Sequence, residues 1–245
     1  MDTYDQASIE RPGIFISFEG GEGAGKSTHI RFLAEALEER GFEVLCIREP
    51  GGTVIGEKLR LIVLDTSHTE MAAETELFIY EAARAQIIAE VIKPALEKGS
   101  IVLCDRFYDS TIAYQVFGRG LDKDFVISAN DFACQGIHPD RTILLSCGNS
   151  AKTGLERATH HCDADRLERE GESFHTTVNE AFLAIAKANP DRIRTVVSAD
   201  CKSSTSKAIF NELGDIFPWM VKPGALPQDF FDRLDEKKVS DNDNE

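Results

Sequence analysis

The stretch Gly20-Gly-Glu-Gly-Ala-Gly-Lys26-Ser27 decides the fold of this 245-residue chain. It follows an apolar run at residues 14–18 and precedes a helical pattern of apolar residues, which is the strand–loop–helix setting of a P-loop. Glycines at this spacing let backbone N–H groups turn toward a phosphate, and the start of the helix adds its positive end. The pattern predicts a nucleoside triphosphate site formed by Gly20, Gly21, Glu22, Gly23, Ala24, Gly25, Lys26, Ser27 and Thr28. Lys26 is placed to reach the phosphates and Ser27 to ligate Mg²⁺.

Short apolar runs alternate with helical patterns along the rest of the chain. We predict strands at residues 14–18, 44–48, 101–104, 142–147 and 193–197, with the longest amphipathic stretches at 75–98 and 168–188. This alternation is typical of an α/β fold, here a three-layer αβα sandwich around a five-stranded parallel sheet. Right-handed crossovers should place the ligand at the carboxyl ends of the strands.

The expected organisation is a single domain between two tails. We expect an N-terminal tail at 1–12, a P-loop domain at 13–220 with a lid at about 157–170, and a mobile acidic tail at 221–245. Phe230-Phe231 leaves open the alternative that the C-terminal tail docks onto the domain.

Composition limits the partners and the compartment. The net charge of −15 argues against a nucleic-acid backbone as the main partner, because neutralising phosphates needs a basic surface. No apolar segment approaches the ~20 residues needed to span a bilayer, and no membrane partner is expected. The six cysteines form no Cys-x-x-Cys pair, which favours reduced cysteines in a cytoplasmic protein.

A carboxylate and an arginine follow the third predicted strand. Asp105 ends the apolar run 101–104, as expected of the second Mg²⁺-binding element of a P-loop protein. Strands often end in Asp, so this pattern gains weight only from the P-loop beside it. Arg106 comes next, where it can be either a solvated charge or a bridge between donor and acceptor phosphates.

Further polar and aromatic residues could form an acceptor site. Arg48-Glu-Pro-Gly-Gly-Thr53 leaves the second strand and can be either an ordinary turn capped by Thr53 or one wall of that site. Arginines that hold a phosphate, a ring that stacks on a base and groups that read its edges suit a nucleoside monophosphate. The candidates are Arg60, Tyr80, Arg84, Thr111, Tyr114 and Gln115. Spacing alone does not assign them to a site, because Arg and Tyr on helices are far more often surface or core residues.

The order of these motifs resembles that of the thymidylate kinases. The resemblance rests on the stretches 18–27, 48–53, 82–86, 105–110, 113–115 and 118–121, and it is close over residues 13–139. It implies phosphoryl transfer from ATP to dTMP with Mg²⁺ held at Ser27 and Asp105, and it suggests a homodimer. By the family pattern, Glu22 would face the acceptor. Arg60, Arg84 and Arg106 would contact dTMP, and Thr111, Tyr114 and Gln115 would surround its base and sugar. Tyr80 stands where the family usually has a stacking Phe.

The predicted lid departs from the family pattern. A P-loop without an arginine normally needs one from the lid, but Thr159, His160 and His161 stand at positions expected to be basic. Arg157 and Arg166 remain as lid candidates, and we group them with Lys26, Asp105 and Arg106 as predicted catalytic residues. The run 160–163 has ligand types that suit zinc, but neighbouring residues rarely converge on one ion, so a solvated loop is favoured.

Two alternatives remain open at the level of sequence. One is a kinase for another nucleoside monophosphate or a deoxynucleoside, against which the turn at 48–53 argues. The other is a non-catalytic nucleotide-binding protein that has lost its lid chemistry. A GTPase is disfavoured because the chain has no Asp-x-x-Gly after the P-loop and no Asn-Lys-x-Asp. The change from the usual Asp-Val to Ser146-Cys147 after the fourth strand has no functional explanation.

Overall fold

A parallel five-stranded sheet forms the centre of the molecule. The computed structural model describes residues 13–146, 165–199 and 201–235. The strands are β1 (Ile14–Glu19), β2 (Val44–Arg48), β3 (Ile101–Asp105), β4 (Arg141–Ser146) and β5 (Ile193–Val197), in the order β2-β3-β1-β4-β5. All neighbouring strands run parallel. The predicted sheet and fold class are therefore confirmed.

Helices cover both faces of the sheet. Those described are α1 (Lys26–Glu38), α2 (Val54–Leu64), α3 (Ala73–Ile87), α4 (Lys93–Glu97), α5 (Tyr108–Thr111), α6 (Lys123–Cys134), α7 (Glu172–Ala188) and α8 (Lys202–Glu212). Two π-helical segments, Ile88–Ile92 and Ile112–Gly118, join α3 to α4 and extend α5. The helix predicted at 75–98 is thus three consecutive segments. The helix predicted at 168–188 begins only at Glu172.

The alternation of strand side chains divides the core into two layers. Ile16 and Phe18 of β1 pack with α1 and α8 on one face. Phe15, which directly precedes Ile16, packs with Ile88 and Phe107 on the other face. Successive strand residues point to opposite sides, so one strand feeds both layers. Because helices cover both faces, the carboxyl ends of the strands remain as the open edge for a ligand.

The segment after the last helix packs against the domain. Residues 221–235, which we call the strap, bury Phe230 and Leu234 to 4% and 7% exposure against α1 and α8. This differs from the mobile tail expected from residue 221 onward. It agrees with the alternative in which Phe230-Phe231 docks onto the domain, and Leu234 is a second buried residue that the sequence analysis did not single out. Residues 236–245 of the expected tail lie outside the described part.

Membrane and cysteine features can be assessed for the described residues. Within them, no helix is both long enough and apolar enough to cross a bilayer. Cys46, Cys104, Cys134 and Cys201 are free thiols. Cys147, the run 160–163 and Arg157 lie outside the described residues.

Candidate active site

The P-loop lies at the carboxyl end of β1. Gly20 has a φ of 136°, and a Cβ there would lie 2.2 Å from the Leu145 carbonyl oxygen, so only glycine fits. Helix α1 starts at Lys26, whose Nζ donates to the carbonyl oxygens of Gly20 (3.2 Å) and Gly21 (3.1 Å). Burial and the neighbouring Arg106 lower the pKa of Lys26. The ammonium is thus held inside the loop that would surround the phosphates.

Two predicted metal ligands meet beside this loop. The Ser27 hydroxyl donates to Oδ2 of Asp105 at 2.7 Å, so the start of α1 and the end of β3 converge. One hydroxyl and one carboxylate, completed by water and phosphate oxygens, form a ligand set that suits Mg²⁺. The described residues contain no cluster of three or more His, Cys, Asp or Glu side chains that could hold a metal by themselves. A metal here would therefore depend on the bound nucleotide for its other ligands.

Arg106 occupies a constrained position between the P-loop and the acceptor side. Its φ of 69° is unusual for a residue other than glycine, and such conformations are concentrated at functional sites. The guanidinium pairs with Glu22, donates to the Ser110 hydroxyl at 3.2 Å and lies 5.4 Å from the centre of the Tyr114 ring. Burial raises the pKa of Glu22, but Arg106 and Lys26 outweigh it and lower that pKa to about 2. Glu22 is therefore ionised and holds Arg106 in place.

Glu19 belongs to the same cluster and was missed by the sequence reasoning. Its Oε1 accepts from the Phe107 N–H at 2.8 Å, and its Oε2 accepts from the Ser110 hydroxyl at 2.6 Å. Burial and the nearby Asp109 raise the pKa of Glu19 to about 7, despite the opposing effect of Arg106. The available signal was a carboxylate at the end of a buried strand. Its partners come from a segment 88 to 91 residues away, which no local pattern reveals.

A cleft of about 440 Å³ opens between the P-loop and helices α2, α3 and α5. It is lined by all six acceptor-site candidates, namely Arg60, Tyr80, Arg84, Thr111, Tyr114 and Gln115, and also by Asp105 and Arg106. The turn at 48–53 forms one wall, with Arg48, Glu49 and Pro50 on the lining. Thr53 also caps α2 by accepting from the Gly56 N–H at 2.8 Å, which confirms the predicted cap. The assignment of the turn to an acceptor site stays a prediction.

Arg84 is the most deeply buried cation of the cleft. It is 2% exposed and pairs with Glu49 at 2.8 Å and with Glu81 at 2.9 Å. It also donates to the Asn130 side-chain oxygen at 2.6 Å. Burial lowers the pKa of Arg84, but the two carboxylates outweigh this effect and raise it. The guanidinium is thus charged and fixed in direction, as recognition of an anionic ligand requires.

Glu76 organises the far end of the cleft and engages one predicted lid residue. Its buried carboxylate accepts from Gln115 at 2.8 Å, from Arg119 at 3.0 Å and from Arg166. Arg166 also donates from Nε to the Val63 carbonyl oxygen at 2.9 Å. Its guanidinium therefore faces Glu76 and α2, and Arg166 is not among the lining residues of the cleft. The neighbouring Asp165, Leu167 and Glu168 do line it.

The arrangement defines a class of protein. A P-loop with a hydroxyl–carboxylate pair opens into a cleft that is also lined by Arg60, Arg84 and Arg106, on a parallel α/β sheet. This is the site of a P-loop phosphotransferase that binds a nucleotide donor and a small anionic acceptor.

Comparisons with known proteins identify the family. The pattern of the family described as Thymidylate kinase matches residues 18–209. Thymidylate kinase of Pelobacter propionicus is 46% identical over 203 residues, which cover 80% of this chain and 92% of that protein. That of Pseudomonas fluorescens is 48% identical over 187 residues, covering 76% and 88%. The crystal structure of thymidylate kinase from Ehrlichia chaffeensis superposes with a TM-score of 0.67 at 31% identity, covering 82% of this chain and all of that one. The chain belongs to the thymidylate kinase family, which confirms the resemblance read from its motifs.

Proposed function

We propose that this protein transfers the γ-phosphoryl group of ATP to dTMP and so forms dTDP and ADP. Membership of the thymidylate kinase family supports this activity. The observation that carries it is the shared position of Arg106, which contacts P-loop residue Glu22 and also lines the acceptor cleft. One cation thus stands between the two binding regions, where the transferring phosphoryl group has to pass.

Positioning and charge neutralisation account for most of the catalysis in such a site. Phosphoryl transfer leaves the protein little covalent chemistry, and its transition state spreads negative charge over the equatorial oxygens. Buried Lys26 and partly buried Arg106 supply positive charge there. Arg60 and Arg84 hold the acceptor phosphate, so that its oxygen rather than water is the nucleophile.

Ser27 and Asp105 would hold Mg²⁺. Their oxygens lie 2.7 Å apart beside the P-loop, which supports a shared ion. Bound there with the donor phosphates, the ion would neutralise charge developing on the phosphate oxygens.

The remaining assignments of site residues extend this proposal. Tyr80 stacks on the thymine, and Thr111, Tyr114 and Gln115 surround the base and sugar. All four line the cleft, which supports these roles. For Arg166, a catalytic role would require its side chain to leave Glu76 and Val63 and to turn toward the phosphates. Arg157 stays a prediction.

Acceptor profiling tests the function. Purified protein is incubated with ATP and Mg²⁺ and with dTMP, dUMP, dCMP, dGMP or thymidine in parallel, and both ADP and the phosphorylated acceptor (a diphosphate from each monophosphate, dTMP from thymidine) are quantified. We expect turnover that strongly favours dTMP. Turnover of thymidine or of another monophosphate would replace the acceptor while leaving the class intact. Binding of ATP and dTMP without turnover would favour the non-catalytic alternative.

Assembly and location complete the proposal. A homodimer is supported by an exposed apolar face on α2, α3 and α6, which includes Leu61, Phe78 and Phe125. A cytoplasmic location is supported by the free thiols of the described cysteines.

A further inference from the structure

The strap lies beyond the part of the chain that matches the family, yet it is tightly packed. The family pattern ends at residue 209, and the strap covers residues 221–235. The Phe230 ring centre lies 5.1 Å from that of Phe32 on α1 and 5.8 Å from that of Phe210 on α8. The strap therefore bridges the helix that starts at the P-loop and the last helix of the domain.

Polar contacts tie the strap to the two residues that follow α1. Arg233 pairs with Glu39 at 2.9 Å, and its guanidinium lies 4.4 Å from the centre of the Phe230 ring. In the opposite direction, the side chain of Arg40, which follows α1, donates to the carbonyl oxygen of Ala225 in the strap. The contacts of Ala225, Phe230 and Arg233 fix the path of the strap across the domain. They therefore also fix where its last residue, Asp235, lies.

The strap ends at the start of α8. The Cys201 thiol donates to Oδ2 of Asp235 at 2.9 Å. Hydrogen bonds from the Cys201 and Ser203 side chains, and from the backbone of Ser203 and Lys202, lower the pKa of Asp235. Helix α8 has no capping side chain at its own N-cap residue, Cys201. Asp235 thus supplies, from outside the helix, the acceptor that a helix N-terminus requires.

The first turn of α8 is in turn connected to the P-loop. The Thr205 hydroxyl accepts from the Ala199 N–H at 2.9 Å, and the neighbouring Ser198 donates to the Ala24 carbonyl oxygen at 3.2 Å. These contacts reach the P-loop from the β4–β5 side of β1. The acceptor cleft lies on the β2–β3 side, so the donor nucleoside has to extend toward the connection between β5 and α8.

We propose that Asp235 is a positioning residue for the nucleotide donor: by capping α8 from the strap, it holds Ser198 and Ala199, which follow β5, against the P-loop and the first turn of α8. The inference rests on the proposed function, because it takes ATP as the donor. It makes the strap part of donor binding, although the strap lies outside the family's matched region.

The test compares three variants with the wild-type protein. Asp235→Ala removes the cap, Asp235→Asn keeps an oxygen that can accept from the same N–H groups, and Asp232→Ala removes an exposed carboxylate from the same strap. We expect Asp235→Ala to raise the KM for ATP about fivefold, as loss of a helix cap would allow, with the KM for dTMP unchanged. Asp235→Asn should restore most of the affinity, and Asp232→Ala should match the wild type.

Amide hydrogen exchange provides a readout that needs no turnover. In Asp235→Ala, the amides at residues 201–206 should exchange faster, while those of α3 stay unchanged. A KM for ATP equal to that of the wild type, or equal losses for both substrates together with a lower Tm, would overturn the inference. If the wild type fails to phosphorylate dTMP, the proposed function fails, and the exchange measurement together with ATP binding still decides the role of Asp235.

Discussion

At the scale of single residues, the charged side chains around the P-loop hold one another in place before substrate binds. Glu22 fixes Arg106, and Glu19 fixes the chain from Phe107 to Ser110. Such preorganisation matters because electrostatic stabilisation is largest when the dipoles and charges need not rearrange during the reaction. Replacements that keep the charge but change its geometry are therefore informative.

Arg106→Lys should lower kcat strongly although it keeps a positive charge. A lysine ammonium is a point charge and cannot pair with Glu22, donate to Ser110 and face the Tyr114 ring together. We expect kcat to fall by about 10²- to 10³-fold, within the range for loss of a group that stabilises transition-state charge. Steady-state kinetics with saturating substrates measure this. Arg194→Lys, on the half-exposed β5, is the matched control, and a kcat within twofold of wild type for Arg106→Lys would contradict the role.

Burial of Glu19 should make the free energy of unfolding fall as the pH rises. The pKa of Glu19 is raised from 4.5 to about 7 in the folded state, so its contribution to stability is present below pH 4.5 and is lost as the pH rises through 7. Glu19→Gln removes this loss, because an amide does not ionise. The amide oxygen can still accept from the Phe107 N–H, and the amide N–H can donate to the Ser110 hydroxyl. Between pH 4.5 and 7 the free energy of unfolding of the wild type should fall relative to the variant by on the order of 3 kcal/mol.

Urea denaturation at pH 5, 6, 7 and 8 measures this difference. Glu97→Gln, which alters an exposed glutamate on α4, is the control and should leave the pH profile of the wild type unchanged. Parallel profiles for the wild type and Glu19→Gln would show that Glu19 has an ordinary pKa.

At the scale of elements, the turn between β2 and α2 is a tightly constrained connection of the cleft. Gly52 has a φ of 77°, and a Cβ there would lie 2.4 Å from Cδ1 of Ile87. Gly41 has a similar φ of 86° but no neighbour within 4 Å. The two glycines therefore separate the cost of the backbone conformation from the cost of the clash.

We expect Gly41→Ala to cost about 1 kcal/mol, from the left-handed backbone alone. Gly52→Ala should cost about 2–4 kcal/mol, because overpacking adds to the same backbone term. Removing the clashing methyl in Gly52→Ala/Ile87→Val should recover part of the difference. Thermal unfolding of all three variants tests this, and equal losses for Gly41→Ala and Gly52→Ala would show that Ile87 does not constrain the turn.

The sequence predicted the elements whose signals are local. All five strands, the P-loop and the cap at Thr53 follow from apolar runs, glycine spacing and side-chain chemistry within a few residues. The π-helical segment Ile88–Ile92 was not predicted, because its residues continue the amphipathic pattern of the preceding helix. The six acceptor-site candidates came from family resemblance rather than periodicity, and they do line one cleft.

Partners that are distant in sequence could not be predicted. Glu19 meets residues near 107–110, and Glu76 meets Arg166 ninety positions later. The strap was expected to be a mobile tail because its acidic, Pro-containing composition outweighed two apolar anchors. In each case the decisive contact forms only when the sheet order brings separate segments together.

At the scale of the whole molecule, one apolar face remains uncovered. Val54 and Leu61 lie seven residues apart on α2 and are 74% and 72% exposed. Phe125 and Phe132 have the same spacing on α6, and the Phe125 ring lies 6.1 Å from that of Phe78 on α3. Residues seven apart share one face of a helix, so three adjacent helices expose a continuous apolar surface. A surface of this kind marks a protein interface, and a second copy of the chain is its proposed occupant.

Charge placed on this face should therefore dissociate the dimer. In sedimentation velocity at micromolar concentration, the wild type should have twice the 27.1 kDa mass of the chain. Phe78→Glu should sediment as a single chain, because a two-fold interface would bury two added carboxylates without partners. Leu183→Glu alters a comparably exposed residue on α7 and should stay dimeric. A monomeric wild type, or a Phe78→Glu variant that stays dimeric, would show that this face is not the interface, because two uncompensated charges could not remain inside it.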